Sequence, residues 1–280
     1  MTSDNAEPST TATPALNAGR DEHHYLGAPS RRSWRGLIGQ IGNVLADLPL
    51  FLTAPLYRRW HLRWGSTNDE VASAMPGDST FPDAQFVSTR SITIKAEPAA
   101  VWPWLVQVGC GRAGFYSNDL LDNLARPSAT TILPDLQHLE IGQWVPMSPS
   151  STPTDKTAFR VDSFEIESWM LWAKPDSTWS WRLTPTASGG TRLVTRIHAV
   201  YDWSRPPTAI LGVILMELGD FAMMRRMLRG IRARAESVRL RPLSSGTLHH
   251  SEVWVVSVDC AGCESSRLSR LGHRVHADPP

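Results

Sequence analysis

Trp179-Ser180-Trp181-Arg182-Leu183-Thr184, then Ser188-Gly189-Gly190, then Arg192-Leu193-Val194-Thr195-Arg196-Ile197-His198-Ala199 decide the fold. Trp179, Trp181 and Leu183 alternate with Ser180, Arg182 and Thr184, the period of a strand with one buried face. Ser188-Gly189-Gly190 supplies residues that tolerate a positive φ, so the chain turns back as a hairpin. Leu193, Thr195, Ile197, Ala199 and Tyr201 then alternate with Arg192, Arg196, His198 and Asp202. Two paired strands result, with a Trp-bearing face and a polar face that the pattern leaves in solvent.

The same period extends upstream. Trp144 to Met147 reads as a short strand, Phe159, Val161 and Ser163 alternate with Arg160 and Asp162, and Trp169 to Lys174 is a mostly apolar strand. An earlier strand carries Arg90, Ile92 and Ile94 against Ser91, Thr93 and Lys95. Between them, Pro98 opens a helix with Val101, Trp102, Leu105 and Val108 on one face, and Pro103 should kink it. Gly109, Gly111 and Gly114 make a loop, and Asn118 to Leu124 reads as a short helix. Downstream, Pro206-Pro207 breaks the meander. Thr208 to Ser237 reads as one helix of about 30 residues, ~45 Å long. Strand, helical insert, meander and closing helix are an α+β order.

Composition sets the outer limits. The chain has 280 residues, 28 Lys+Arg against 27 Asp+Glu, and a formal charge of +1. That balance argues against a nucleic-acid partner, which selects for a basic excess. Three cysteines are too few for a disulfide scaffold. No uninterrupted apolar run reaches the ~18 residues of a membrane span, and no secretory signal is visible, so a cytoplasmic protein is expected. Twelve Trp, concentrated over 102–181, stand out.

Before the first strand, Trp34, Leu37, Ile38, Ile41, Val44, Leu45 and Leu48 form one apolar helical stripe, with Ser33 as N-cap and Pro49 as stop. The segment either packs on the domain, the reading preferred here, or lies on a membrane surface, where Trp and Arg are typical. Arg225, Arg226, Arg229, Arg232 and Arg234 add a basic helical face. Weak contact with an anionic membrane, peripheral to its inner face, is therefore expected.

Arg90-Ser91-Ile92-Thr93-Ile94, Glu97-Pro98 and Val101-Trp102-Pro103-Trp104-Leu105 resemble the opening of the SRPBCC superfamily, the START-like helix-grip group with polyketide cyclase/dehydrase relatives. Gly111-Arg112-Ala113-Gly114-Phe115-Tyr116-Ser117, Ile132-Leu133-Pro134, Gln137-His138-Leu139, Gly142 and Arg225-Arg226-Met227-Leu228 resemble one bacterial subgroup of it. The resemblance runs from about Trp60 to Ala235. It implies a curved antiparallel sheet gripping a long C-terminal helix over an apolar cavity for a hydrophobic, lipid-like or polycyclic molecule. It implies no single reaction. The expected organisation is a disordered tail over 1–30, an amphipathic helical segment over 31–65, the helix-grip domain over 84–240 and a loosely ordered tail over 241–280.

Candidate ligand contacts follow. Trp172, Trp179, Trp181 and Tyr201 would line the cavity, or simply fill the core. Arg112, Tyr116 and Asp119 lie in the glycine-rich loop expected at its mouth, where Arg112 would hold an anionic group and Tyr116 would donate a hydrogen bond; the alternative is an Arg112–Asp119 pair fixing the loop. An enzyme of the cyclase or dehydratase type, using Tyr116 and Asp119 as acid and base, is the competing function, and a peripheral membrane or scaffold protein with a filled core is the third. His198 and Glu165 match an acid/base pair by type only, and His198 is expected in solvent. Cys260-Ala261-Gly262-Cys263 with His273 and His276 approaches a zinc spacing but brackets no core, so neither metal nor cofactor is expected.

Overall fold

The computed structural model describes residues 34–148 and 152–237, with only the helical backbone of Trp34 and Arg35. The expectations for 1–30, for Ser33 as a cap and for 241–280, with its Cys/His group, lie outside the described residues.

Six strands form one antiparallel sheet: β1 (Phe86–Ile94), β2 (Trp144–Pro146), β3 (Ala158–Glu165), β4 (Trp169–Lys174), β5 (Ser177–Pro185) and β6 (Thr191–Ala199). Their order is β1-β6-β5-β4-β3-β2, so the meander from β2 to β6 closes onto the first strand. Trp181 pairs with Thr195 across β5–β6 and with Met170 across β4–β5. The register of β3 shifts between Val161 and Ser163, a bulge that bends the strand. Helix α4 (Pro98–Val106) and the closing helix pack on the inner face, and Trp104, Leu105, Trp172, Trp181, Leu228 and Ile231 are buried among them. This is the α+β, helix-grip arrangement: a curved antiparallel sheet around a long C-terminal helix.

The closing helix is continuous but not uniform. It comprises α6 (Pro206–Ile214), one π-helical stretch (Leu215–Gly219) and α7 (Asp220–Ser237). Ionic contacts lie at the π stretch: Glu217 within it accepts from Arg58 at 2.8 Å, and Asp220, the first residue after it, meets the buried Arg90 at 2.5 Å. The π turn widens the helix locally and offsets the side chains that follow it.

Two expectations need correction. Pro49 does not stop the first helix; α1 runs Trp34–Thr53 with Pro49 inside it, then continues through a 3-10 turn (Ala54–Tyr57) into α2 (Arg58–His61). Proline forfeits one backbone bond, and the Thr53 hydroxyl bonds the Pro49 carbonyl at 2.5 Å one turn later. Over β1 and β6 the polar face of the sheet is also covered rather than solvated, while Arg160, Asp162 and Glu165 of β3 stay exposed. Leu62 O and Trp64 O accept from the N–H groups of Thr89 and Ser91 along the β1 edge, and the chain then crosses the outer face through α3 (Asn68–Ala72).

That crossing is ionic. Thr67 and Glu70 form a reciprocal capping box at α3, and Glu70 also receives Arg192 Nε at 2.6 Å. Burial pushes the Glu70 carboxyl up, but hydrogen bonds from Arg192 and the Thr67 N–H outweigh it and hold the carboxyl below its usual range. Arg196, almost fully buried, donates to Asp78 at 2.6 Å, to Thr89 Oγ1, and to the carbonyls of Glu70, Val71 and Ser73. His198 sits beneath this cover, 3.9 Å from Asp78, and burial lowers its basicity. It is not an exposed residue. Nor can it pair with Glu165: two strands separate β6 from β3, a distance of roughly 14 Å at the usual interstrand spacing.

Candidate functional site

The loop after α4 reverses tightly. Gly109 and Gly114 bond each other's backbone, and Arg112 reaches back to the Val106 carbonyl at 2.9 Å. Tyr116 then adopts φ +57°, a left-handed conformation uncommon for a bulky residue. This turns the ring inward. The Tyr116 hydroxyl donates to Trp104 O at 3.2 Å and accepts from Gln107 Nε2 at 2.9 Å. Burial, above all, drives its pKa far above the ordinary phenol value. Tyr116 is therefore a buried anchor and not a donor at a cavity mouth.

Asp119 opens the short helix α5 (Asp119–Asp122) and spends both oxygens on Ser128, at its N–H (3.0 Å) and its hydroxyl (2.5 Å). Ser128 Oγ in turn accepts from the Tyr116 N–H. Tyr116 and Asp119 thus share a scaffold through Ser128, while the Tyr116 hydroxyl points elsewhere. The acid/base pair expected from these two residues does not assemble.

Asp122, which the sequence reading passed over, is the perturbed acid here. Both carboxylate oxygens are buried. Burial first, and the neighbouring Asp119 second, push its pKa up to about 7. Burial also raises the nearby Cys110 thiol, and the Asp122 charge adds to it.

Above this loop lies a polar cleft of about 460 Å³. Asp47 of α1, Tyr116, Asp119 and Ser128 form one side, and Arg225, Arg226, Arg229 and Arg234 of α7 form the other. Asp47 holds Arg226 at 2.5 Å and accepts from Asn118. Arg234 caps the Tyr116 ring at 4.4 Å and donates to Ala129 O. Among the described residues no carboxylate pairs with Arg225, Arg229 or Arg232. Burial and the neighbouring guanidinium groups lower the Arg229 pKa. A second cleft, about 470 Å³, lies between Trp64, Ser91, Thr93, Arg192, Arg229 and Arg232. Neither cleft is lined by the Trp residues of the sheet.

Those Trp residues face inward as the alternation requires. Trp172, Trp179 and Trp181 pack ring on ring, with centroids 5.0–5.6 Å apart. Trp179 Nε1 donates to Thr195 Oγ1 at 2.8 Å, but the indole N–H groups of Trp104, Trp172 and Trp181 are buried with no acceptor. Tyr201 lies beyond the end of β6, its ring against Gly212 of α6. Its hydroxyl is also without a partner, and burial, with Glu217 nearby, pushes its pKa up to about 12.

No family model matches the chain. No curated protein matches it either. Among solved structures, a polyketide cyclase-like protein of Corynebacterium glutamicum is 13% identical, covers 52% of this chain and 88% of its own, and gives a TM-score of 0.32. A Rhodobacter sphaeroides protein is 14% identical over 52% of this chain and 89% of its own, with a TM-score of 0.33. A Thermobifida fusca protein is 15% identical over 59% of this chain and 99% of its own, with a TM-score of 0.30.

Proposed function

We propose that the protein binds a hydrophobic small molecule, lipid-like and bearing an acceptor oxygen, between the Trp face of β4 and β5 and the closing helix. The carrying observation is the set of three orphaned donors, the indole N–H groups of Trp104, Trp172 and Trp181, within one apolar core. Nearly all buried polar groups in native proteins find partners. Each orphan costs about 1–3 kcal/mol, so an oxygen brought in by a ligand would be stabilised there, with the aromatic rings supplying apolar contact. The cavity that such a ligand would occupy is part of the proposal. No reaction is proposed, since Tyr116 and Asp119 are both committed to holding the loop.

Native mass spectrometry of protein purified from its own host tests this reading. A retained hydrophobic molecule is expected, with occupancy several-fold lower in Trp181→Phe, which keeps most of the ring but removes the N–H. Protein that carries nothing, together with a Trp181→Phe variant as stable as the parent or more so, would reduce the orphan to a core donor without a partner and refute the proposal.

A further inference from the structure

We infer that α1 and the α6 end of the closing helix form a docking surface for a bilayer containing anionic lipid, a property independent of the ligand reading and resting on other residues. Ile38, Ile41, Leu45, Leu48 and Leu52 recur at three- and four-residue steps along α1, and all are exposed, Leu45 and Leu52 by 61% and 67%. Leu56 and Trp60 continue the run. On the adjacent helix Ile210, Leu211, Ile214 and Leu215 form a second exposed stripe. The two helices run antiparallel, because Asp47 meets Arg226 while Arg58 meets Glu217.

What these stripes lack is charge. From Gly36 to Tyr57 the only charged residue is Asp47, and it is buried against Arg226. From Pro206 to Met216 there is none. A water-facing helix normally carries charge on its outer face, and an apolar surface this extended marks a contact site. Two helical runs, Gly36–His61 and Pro206–Ser237, are by length and composition apolar enough to cross a bilayer. Crossing is incompatible with their packing, since Asp47 is tied to Arg226 mid-helix and α7 is buried in the domain core. They can lie in the interface, where an amphipathic helix sinks its apolar face by ~5–10 Å.

The border chemistry fits a bilayer better than a second copy of the chain. Trp60 and Trp203 are exposed beside the stripes, as are Arg58, Arg59, Arg63 and Arg205, the residues of a membrane–water boundary. Arg225, Arg229 and Arg232 add cations that pair with no carboxylate among the described residues. Two of them line the cleft beside Asp47 of α1, where a lipid phosphate would be matched by guanidinium. A helical dimer seam would instead be flanked by charges of both signs that set its register, whereas from Gly36 to Tyr57 the one charged residue is Asp47, already paired with Arg226.

Flotation of the full chain decides the question, with vesicles of phosphatidylcholine alone and with phosphatidylglycerol added. The parent should float with the anionic vesicles. A Leu45→Glu/Leu52→Glu variant, checked for folding by circular dichroism, should lose about tenfold or more of the bound fraction. Leu56→Glu alone, at the most exposed position, should lose several-fold and serves if the double variant does not fold. Arg225→Gln/Arg229→Gln/Arg232→Gln should remove the preference for phosphatidylglycerol. Failure of the parent to float at low salt, or flotation of the Glu variants at the parent's level, would overturn the inference. So would a non-floating parent dimer that the Glu substitutions dissociate, which would identify the face as a self-association surface.

Discussion

Replacing Gly230 by alanine should destabilise this protein, although the same change in a helix normally stabilises it. Gly230 lies inside α7, where alanine would ordinarily gain about 1 kcal/mol. A Cβ there would stand 2.2 Å from Tyr116 O and 2.7 Å from Tyr116 Cβ. Relief requires the loop to retreat by roughly 1 Å, since carbon–oxygen contacts below about 3 Å are strongly repulsive. Tyr116 has little freedom to retreat. Its φ is already positive, its N–H is bonded to Ser128, and its hydroxyl is bonded to Trp104 O and Gln107. Overpacking of this kind costs about 1–3 kcal/mol, and occasionally more where the neighbours cannot shift. Because Tyr116 cannot shift, the upper part of that range, about 2–3 kcal/mol, applies; against the helical gain a net loss of about 1–2 kcal/mol is expected, roughly 2–8 °C in melting temperature for an ordered region of this size. Gly39→Ala is the control: its Cβ would meet nothing within 4 Å, so it should melt at or slightly above the parent temperature. Thermal melts by circular dichroism compare the three proteins. A Gly230→Ala protein that melts no lower than the parent would show that the loop does not rest on α7 as described, and the arginine cleft would lose its floor.

Three further outcomes follow from the same contacts. Asp122, with a folded pKa near 7 against about 4 unfolded, makes the folded state hold the extra proton; its cost is absent below pH 4, grows through the interval and is complete above pH 7. Asp122→Asn should therefore gain stability at pH 8, by roughly 2–4 kcal/mol, and match the parent near pH 4; urea titrations showing a pH-independent difference would refute the assignment. Arg196→Met should cost about 3–5 kcal/mol, because it strands Asp78 and three carbonyls under the covering segment; a loss below about 1 kcal/mol would mean an ordinary surface pair. Trp181→Ala should cost about 3–5 kcal/mol if its fully buried ring is core, and distinctly less, with altered binding of an apolar dye, if it is a cavity wall.

The strands were legible because period-two alternation is a local signal: Trp179, Trp181 and Leu183 point inward wherever the sheet finds its cover. What covers the other face was not legible. Arg192, Arg196 and His198 alternate identically whether water or Glu70 and Asp78 lie opposite, and those two acids sit in a stretch that reads as a polar connection. The loop was misread for a related reason. Glycines flanking Arg112, Tyr116 and Asp119 suggest an exposed mouth, but one residue at positive φ reverses the side chain and sends the Tyr116 hydroxyl into the core. Trp172, Trp179 and Trp181 were placed on the right face, yet the missing acceptors of two of them depend on neighbours that no spacing reveals.

The ionic contacts follow one rule that composition conceals. A net charge of +1 looks neutral and uninformative, but the pairs that matter join segments far apart in the chain. Arg90 and Asp220 are 130 residues apart, Arg196 and Asp78 are 118, and Asp47 and Arg226 are 179. Each ties the region before or around the first strand to the last strand or the closing helix; the segment over 47–78 is held against the domain by the Asp47 and Asp78 pairs and by Tyr57, Trp60 and Trp64 packed around Phe221, while Leu48, Leu52 and Leu56 face out. A segment attached only through apolar packing would have buried Leu45, Leu48 and Leu52 against the domain. The Asp47–Arg226 pair holds the other side of α1 and leaves that stripe free, so the helix can stay bound to the domain and still offer a continuous apolar face to a second surface.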